Sequence, residues 1–397
     1  MVRKSLIRRV VLVSIAPLVV GGAVSLAIPP FARPPFNSDR VDPAADRRPR
    51  VQIALLLDTS NSMDGLIFQA RTQLWTIVNE FARSKRDGLR PRLEVALYEY
   101  GNNRLSPGEG YIRQVSAFTD DLDLISERLW QLTTNGGSEF CGTVIRSSVE
   151  ELPWNRDGRT YKAIFIAGNE PFTQGQVDYR DAVGLAIGRG IVVNTIHCGS
   201  REDGVSGLWS DGARRGEGEF MWIDQNRRRH IPRCPQDDEI SALSGQLNET
   251  YIPYGALGGA GFARQQAQDK LAAENAAVGT EVQRAVAKSG AAYNNASWDL
   301  ADAVKEGKLK LAEVKDEDLP ASMRNLSPVE RDRYVQDQLA RRQELSSKIQ
   351  QLNADRAKYL VEYEKQQAEQ TSEETLDSAA IRVVRGQLQA KGFEVGQ

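Results

Sequence analysis

The stretch that most constrains this chain is Val51 to Met63, VQIALLLDTSNSM. Its apolar run is interrupted only by Gln52, the pattern of a strand buried on both faces in the middle of a parallel sheet. The run stops at Asp58, and hydroxyls follow at alternate positions, Ser60 and Ser62. Open α/β sheets present their binding groups at the carboxyl ends of the strands. Asp58, Ser60 and Ser62 would therefore stand at that edge as three hard oxygen donors, a set suited to magnesium, calcium or manganese. The competing reading is local: these side chains cap the helix that follows.

The pattern around this strand repeats. Apolar positions from Leu66 to Phe81 fall at helical spacing, and LEVALYEY (Leu93 to Tyr100) reads as a second strand. Tyr111 to Phe118 alternates and is expected to form an antiparallel edge strand. Asp120 to Leu132 is a helix with acids at its positive end, and another runs from about Gly142 to Leu152. Buried strands AIFIA (Ala163 to Ala167) and IVVNTI (Ile191 to Ile196) flank a helix around Tyr179 to Arg189, and a last strand spans Glu219 to Asp224 before a helix from Gln236 to Asn248. Strands alternating with helices predict an α/β, doubly wound, mostly parallel sheet.

Beyond residue 254 the composition changes. Residues 255–262 are rich in glycine and read as a flexible joint. Residues 263–397 are rich in Ala, Gln, Glu, Lys and Arg, which predicts an all-helical region: one helix over 263–288, a short one carrying Trp298, and a long one from Ser327-Pro328 to about Gln370. On the long helix Leu345, Ile349 and Leu352 keep three-and-four spacing, but Arg342 and Arg356 fall on the same stripe. That favours a helical hairpin or loose coiled coil over a strict zipper, with either self-association or packing on one side as its use. A short helix within Ser378 to Val395 ends the chain.

At the other end, Arg3, Lys4, Arg8 and Arg9 precede an uncharged apolar stretch, Val10 to Ile28. Residues 1–28 read either as a signal peptide or as an N-terminal membrane anchor, since about 19 apolar residues just span a bilayer. Either implies export to the periplasm or cell envelope, with the Pro- and Arg-rich segment 29–50 as a linker. The net charge of -2 gives no reason to expect nucleic acid. The three cysteines, Cys141, Cys198 and Cys234, are too few for a disulfide scaffold. The two sheet-edge thiols, Cys141 and Cys198, could pair, with Cys198–Cys234 as the rival and three free thiols as the third alternative. No glycine loop before a lysine and no Gly-x-Ser-x-Gly elbow occurs, and the two histidines lack a plausible nucleophile neighbour.

Residues 51 to 254 resemble a von Willebrand factor A domain. The likeness rests on Asp58-Thr59-Ser60-Asn61-Ser62 after a buried strand, on Gly136-Gly137-Ser138, and on the strand ending at Gly168. Four stretches, NGGSEFCG, IFIAGNEPFTQG, NTIHCGS and LNETYIPYG, further resemble exported bacterial proteins in which such a domain precedes a helical region. The resemblance implies a metal-ion-dependent adhesion site: Ser60 and Ser62 would bind a divalent cation, with Mg2+ the first expectation and Mn2+ or Ca2+ the others. Asp58 would support it, often through water. Ser138 stands where the family has a second-loop threonine, with Thr143 the other candidate and Glu139 either a further carboxylate or a helix cap. The family's third loop carries Asp-Gly where this chain has Gly168-Asn169, so Asn169 or Glu170 would have to substitute there.

The function so implied is a cell-envelope protein-binding module without catalysis, whose cation is completed by a partner's Asp or Glu. The alternatives are a structural or assembly factor with an inert A-type fold, and a divalent-metal hydrolase. The last is disfavoured because no general base accompanies the serines.

Overall fold

The computed structural model describes residues 48–225, 231–367 and 376–395. The N-terminal apolar segment, most of the linker, and the basic run Arg227 to Arg229 lie outside them. No described helix is long and apolar enough to cross a membrane.

In chain order the first part comprises β1 (Arg50–Asp58), α1 (Asp64–Arg83), β2 (Arg92–Tyr100), β3 (Ile112–Thr119), α2 (Leu122–Gln131), α3 (Cys141–Glu151), β4 (Tyr161–Gly168), α4 (Tyr179–Gly188), β5 (Val192–Cys198), α5 (Arg201–Ser206), α6 (Trp209–Arg215) and β6 (Glu217–Ile223). The strands form one sheet in the order β3-β2-β1-β4-β5-β6. All neighbours are parallel except β2 and β3, which pair antiparallel at the edge. This is the expected doubly wound sheet, with β1 at its centre. Alternate residues of β1 feed two cores: Val51, Ile53 and Leu57 pack towards α1 and α2, while Ala54 and Leu56 pack towards α3 and α4.

The remaining helices are α7 (Asp237–Asn248), α8 (Gly255–Glu274), α9 (Thr280–Lys288), α10 (Leu300–Lys305), α11 (Ala321–Arg324), α12 (Pro328–Gln367) and α13 (Leu376–Ala390). Three sequence expectations change here. The glycine-rich stretch at 255–262 is no joint but the start of α8. Its glycines serve close approach: a β-carbon on Gly261 would sit 2.3 Å from Cγ of Trp298, and one on Gly258 would sit 2.9 Å from the Pro253 carbonyl carbon. The single helix expected over 263–288 is broken by a turn at Gly279, whose φ of 78° suits glycine.

The third change concerns where the sheet domain ends. Helix α13 packs into the same core as α1, burying Ala379, Val383, Val384 and Leu388 with Ile53 and Phe165 of the sheet. It also satisfies polar groups that the strands bury. Gln387 donates to Oδ1 of Asn194 at 2.6 Å and accepts from the Tyr161 hydroxyl at 2.5 Å. Its neighbour Arg385 donates to Glu80 of α1. The sheet domain is therefore not confined to 51–254. The last 20 described residues complete it, and α7 to α12 are inserted between β6 and the helix that closes this face.

Within the insert, α12 is one helix of 40 residues. Its apolar stripe is filled inside the chain: Leu345 and Ile349 are buried with residues of α7 and α9. The two arginines on that stripe are buried because acids await them. Arg342 meets Asp299 and Asp302, both at 2.7 Å, and lies over the Tyr251 ring; Arg356 meets Asp237 at 2.7 Å.

Candidate metal site

The buried strand β1 drives Asp58 to the carboxyl edge of the sheet, where loops after β1, α2 and β4 meet. The first two loops are joined through the backbone: Asn61 N–H donates to the Gly136 carbonyl at 2.9 Å, and Asn135 N–H to the Thr59 carbonyl at 3.0 Å. Gly136 has φ 65°, and a β-carbon there would collide with the Asn103 side chain, so this turn requires glycine.

Asp58 is fully buried. Its Oδ1 accepts from the Ser60 N–H at 2.7 Å, whereas Oδ2 has no hydrogen-bond partner. Space around the carboxylate is kept by two glycines. A β-carbon on Gly101 would lie 2.7 Å from Oδ1, and one on Gly168 would lie 3.1 Å from Oδ2 and 2.5 Å from the Tyr100 hydroxyl. That hydroxyl donates to the Ala167 carbonyl at 2.9 Å. The absence of a carboxylate at position 168 thus has a steric reason: Tyr100 takes the room its side chain would need.

The hydroxyls stand beside it. Ser60 Oγ and Ser62 Oγ are 3.3 Å apart, and Asn169 donates through Nδ2 to Ser62 Oγ at 3.2 Å. The Oδ1 of Asn169 is buried and has no hydrogen-bond partner, the second oxygen acceptor left so in this cluster. Burial pushes the Asp58 carboxyl up to about 7; the Ser60 N–H opposes that, and the Glu139 and Glu170 carboxylates nearby add to it.

An α/β sheet in the order β3-β2-β1-β4-β5-β6, with one antiparallel edge strand and an Asp-x-Ser-x-Ser loop leaving its central strand at the carboxyl edge, decides the fold. It is a von Willebrand factor A fold.

Of the residues expected to serve the A domain's site, Asp58, Ser60, Ser62 and Asn169 come together. Ser138 makes no side-chain hydrogen bond with them among the described residues. Thr143 packs instead near Gly110, on which a β-carbon would lie 2.9 Å from its methyl carbon. The second loop contributes Glu139, which is buried beside Ser60 and Asp58. Burial and the Glu170 charge raise its carboxyl, and the Ser60 contact opposes them. Gln174 ties this loop to the third, accepting from Glu139 N–H and donating to Glu170, both at 3.3 Å. The acidic residue directly after the paired glycines and Ser138 was the available signal, but sequence alone left it equally a helix cap.

A Cys141–Cys198 disulfide does not form; all three cysteines are free and buried. Cys141 belongs to the core on one face of the sheet and Cys198 to the core on the other, so the sheet itself separates them. Burial pushes both thiols up, towards the neutral, unreactive form. His197 is a core histidine beside Trp209, with its pKa lowered by burial and only partly restored by Asp203.

A divalent cation fits this donor set by its chemistry. Two buried oxygen acceptors lack hydrogen-bond partners, and hydroxyl and amide oxygens surround them. Among the described residues no three His, Cys, Asp or Glu side chains gather as a metal cluster, so any cation here depends on the serines and Asn169 as well as carboxylates.

No protein-family model matches the chain, and no curated protein does. Several solved structures resemble it. Proximal thread matrix protein 1 from the mussel byssus is 13% identical over 45% of this chain and 42% of its own, with a TM-score of 0.33. A form of it with a zinc-occupied MIDAS motif is 15% identical with the same score and coverage. The conserved hypothetical protein BatB from Bacteroides thetaiotaomicron is 16% identical over 44% of this chain and 90% of its own, at 0.33. This chain thus spans under half the length of the mussel protein.

Proposed function

We propose that this chain is a protein-binding module of the cell envelope that grips its partner through a divalent cation, Mg2+ first, held by Asp58, Ser60, Ser62 and Asn169. The observation that carries the reading is the Asp58 carboxylate, fully buried with one oxygen lacking a hydrogen-bond partner at the carboxyl edge of the sheet. A buried charge left this way is costly unless a cation completes it. Hydroxyl and amide donors are neutral, so the cation would keep most of its charge and attract an Asp or Glu from the partner. The proposal includes no catalysis. Ser60 and Ser62 contact each other and Asn169, with Glu139 beside Ser60, and among the described residues neither has a histidine hydrogen-bond partner to act as a base.

The structural alternative gains from one feature, the burial of α13 in the sheet core, which gives the helical insert a packing role inside its own chain. The test is calorimetric titration of Mg2+ into the protein and into the Asp58→Ala and Ser60→Ala variants, followed by capture from envelope extracts with and without chelator. The expected result is cation binding lost in both variants and a partner retained only with cation. No binding at millimolar Mg2+ would sink the reading.

A further inference from the structure

The third loop is the weak point of this site, because Gly168-Asn169 offers no carboxylate where the fold's usual pattern has one. The structure supplies one from elsewhere. Glu139 is 6% exposed, and it sits over the paired-glycine turn: a β-carbon on Gly137 would lie 2.4 Å from its Oε1 and 3.5 Å from the Ser60 β-carbon. A β-carbon on Gly101 would touch both Asp58 Oδ1 and the Glu139 Cγ, at 2.7 and 2.9 Å, so the two side chains flank the same small space. Glu139 therefore stands beside Ser60 as well as Asp58.

We propose that Glu139 is the second carboxylate of the cation site, taking from the second loop the part that the third loop has given up. This rests on the metal-site reading above. Three observations converge on it. The buried Asp58 Oδ2 has no hydrogen-bond partner among the described residues, which leaves it free to meet a cation. Tyr100 and the missing side chain at Gly168 close the third-loop route sterically. Glu170, the other nearby acid, is turned to Gln174, which also holds the Glu139 backbone in place. A helix cap would be the ordinary role for an acid here, but the caps of α3 show no side-chain hydrogen bond, and Glu139 lies beside Ser60 instead. Asp58 and Glu139 would be the two carboxylates of the site, and Ser138 would be dispensable.

The experiment titrates MgCl2 into the full chain by calorimetry and records thermal unfolding without cation for the wild type and for Glu139→Gln, Ser138→Ala, Glu170→Gln and Asp58→Asn. Glu139→Gln should weaken Mg2+ binding by roughly 10–100-fold, the scale on which supporting groups matter at metal sites. Ser138→Ala and Glu170→Gln should stay within about threefold of wild type on the same scale. Without cation, Glu139→Gln should melt at or above the wild-type temperature, because removing one of the clustered acids relieves repulsion. A purely structural Glu139 would lower the melting temperature and leave affinity unchanged, which overturns the proposal. If Asp58→Asn abolishes binding while Glu139→Gln matches wild type, the inference fails and the metal site stands. If the wild type binds nothing, both fail.

Discussion

Asp58 and Arg284 are both charged residues taken almost wholly out of water, and their surroundings treat them differently. Arg284, in α9 of the helical insert, lies over the Trp75 ring at 4.3 Å, pairs with Asp123, and reaches Asp269 at 2.9 Å. Lys288 joins the same network through Asp269 at 2.7 Å, and burial lowers its pKa to about 8. Tyr293 closes the group by donating to Asp123 at 2.5 Å. Each charge there meets its opposite, so the network pins the insert to α1 and α2. At the sheet edge Asp58 meets other acids and keeps an oxygen without a hydrogen-bond partner. A buried charge with its partners inside the chain is architecture; one whose complement must come from outside marks a place for binding.

Three outcomes would break or sharpen that contrast. The largest effect is expected from Arg284→Met, which strands Asp123 and part of Asp269 without their cation. It should cost about 3–5 kcal/mol in urea unfolding, the usual penalty for removing one member of a buried pair. A loss under about 1 kcal/mol would mean that the network does not pin the insert. Next, Leu388→Ala in α13 should cost about 3 kcal/mol by cavity formation. The loss should appear in the same transition that unfolds the sheet, followed by Trp75 fluorescence; a separate, earlier transition would show that α13 is an accessory and not part of this core. Smallest is the signature of Asp58. With its carboxyl at about 7 in the folded protein and near 3.9 unfolded, the folded state holds the proton more tightly between those values. Without cation, stability should therefore fall as pH rises through that window, by at most about 1.4 kcal/mol per pH unit, and Asp58→Asn should flatten the slope. An unchanged slope in the variant would remove Asp58 from the argument.

Much of the sheet was legible in the sequence. The runs in β1, β2, β4 and β5 are buried on both faces, and such strands announce themselves by length and apolarity alone. The Asp58, Ser60 and Ser62 group was legible for the same reason, since a strand that ends abruptly fixes where its next residues stand. The second and third loops were not. Whether Ser138 or Glu139 faces Ser60 depends on the path of a glycine turn, and the loss of the third-loop carboxylate became intelligible only through Tyr100, far away in sequence. The glycines of α8 illustrate the same limit. Composition reads them as freedom, whereas Trp298 makes them points of contact.

The sequence by itself determined the alternation of strands and helices, the buried central strand and the oxygen donors at its end, because these follow from local periodicity and from side-chain chemistry. Only the tertiary structure decided that the chain returns at α13 to close the sheet it began, that Cys141 and Cys198 stand on opposite faces, and that Glu139 joins Asp58. Those outcomes depend on which surfaces meet across long separations in the chain, and that is set by packing, volume and the pairing of buried charge, none of which a local pattern contains.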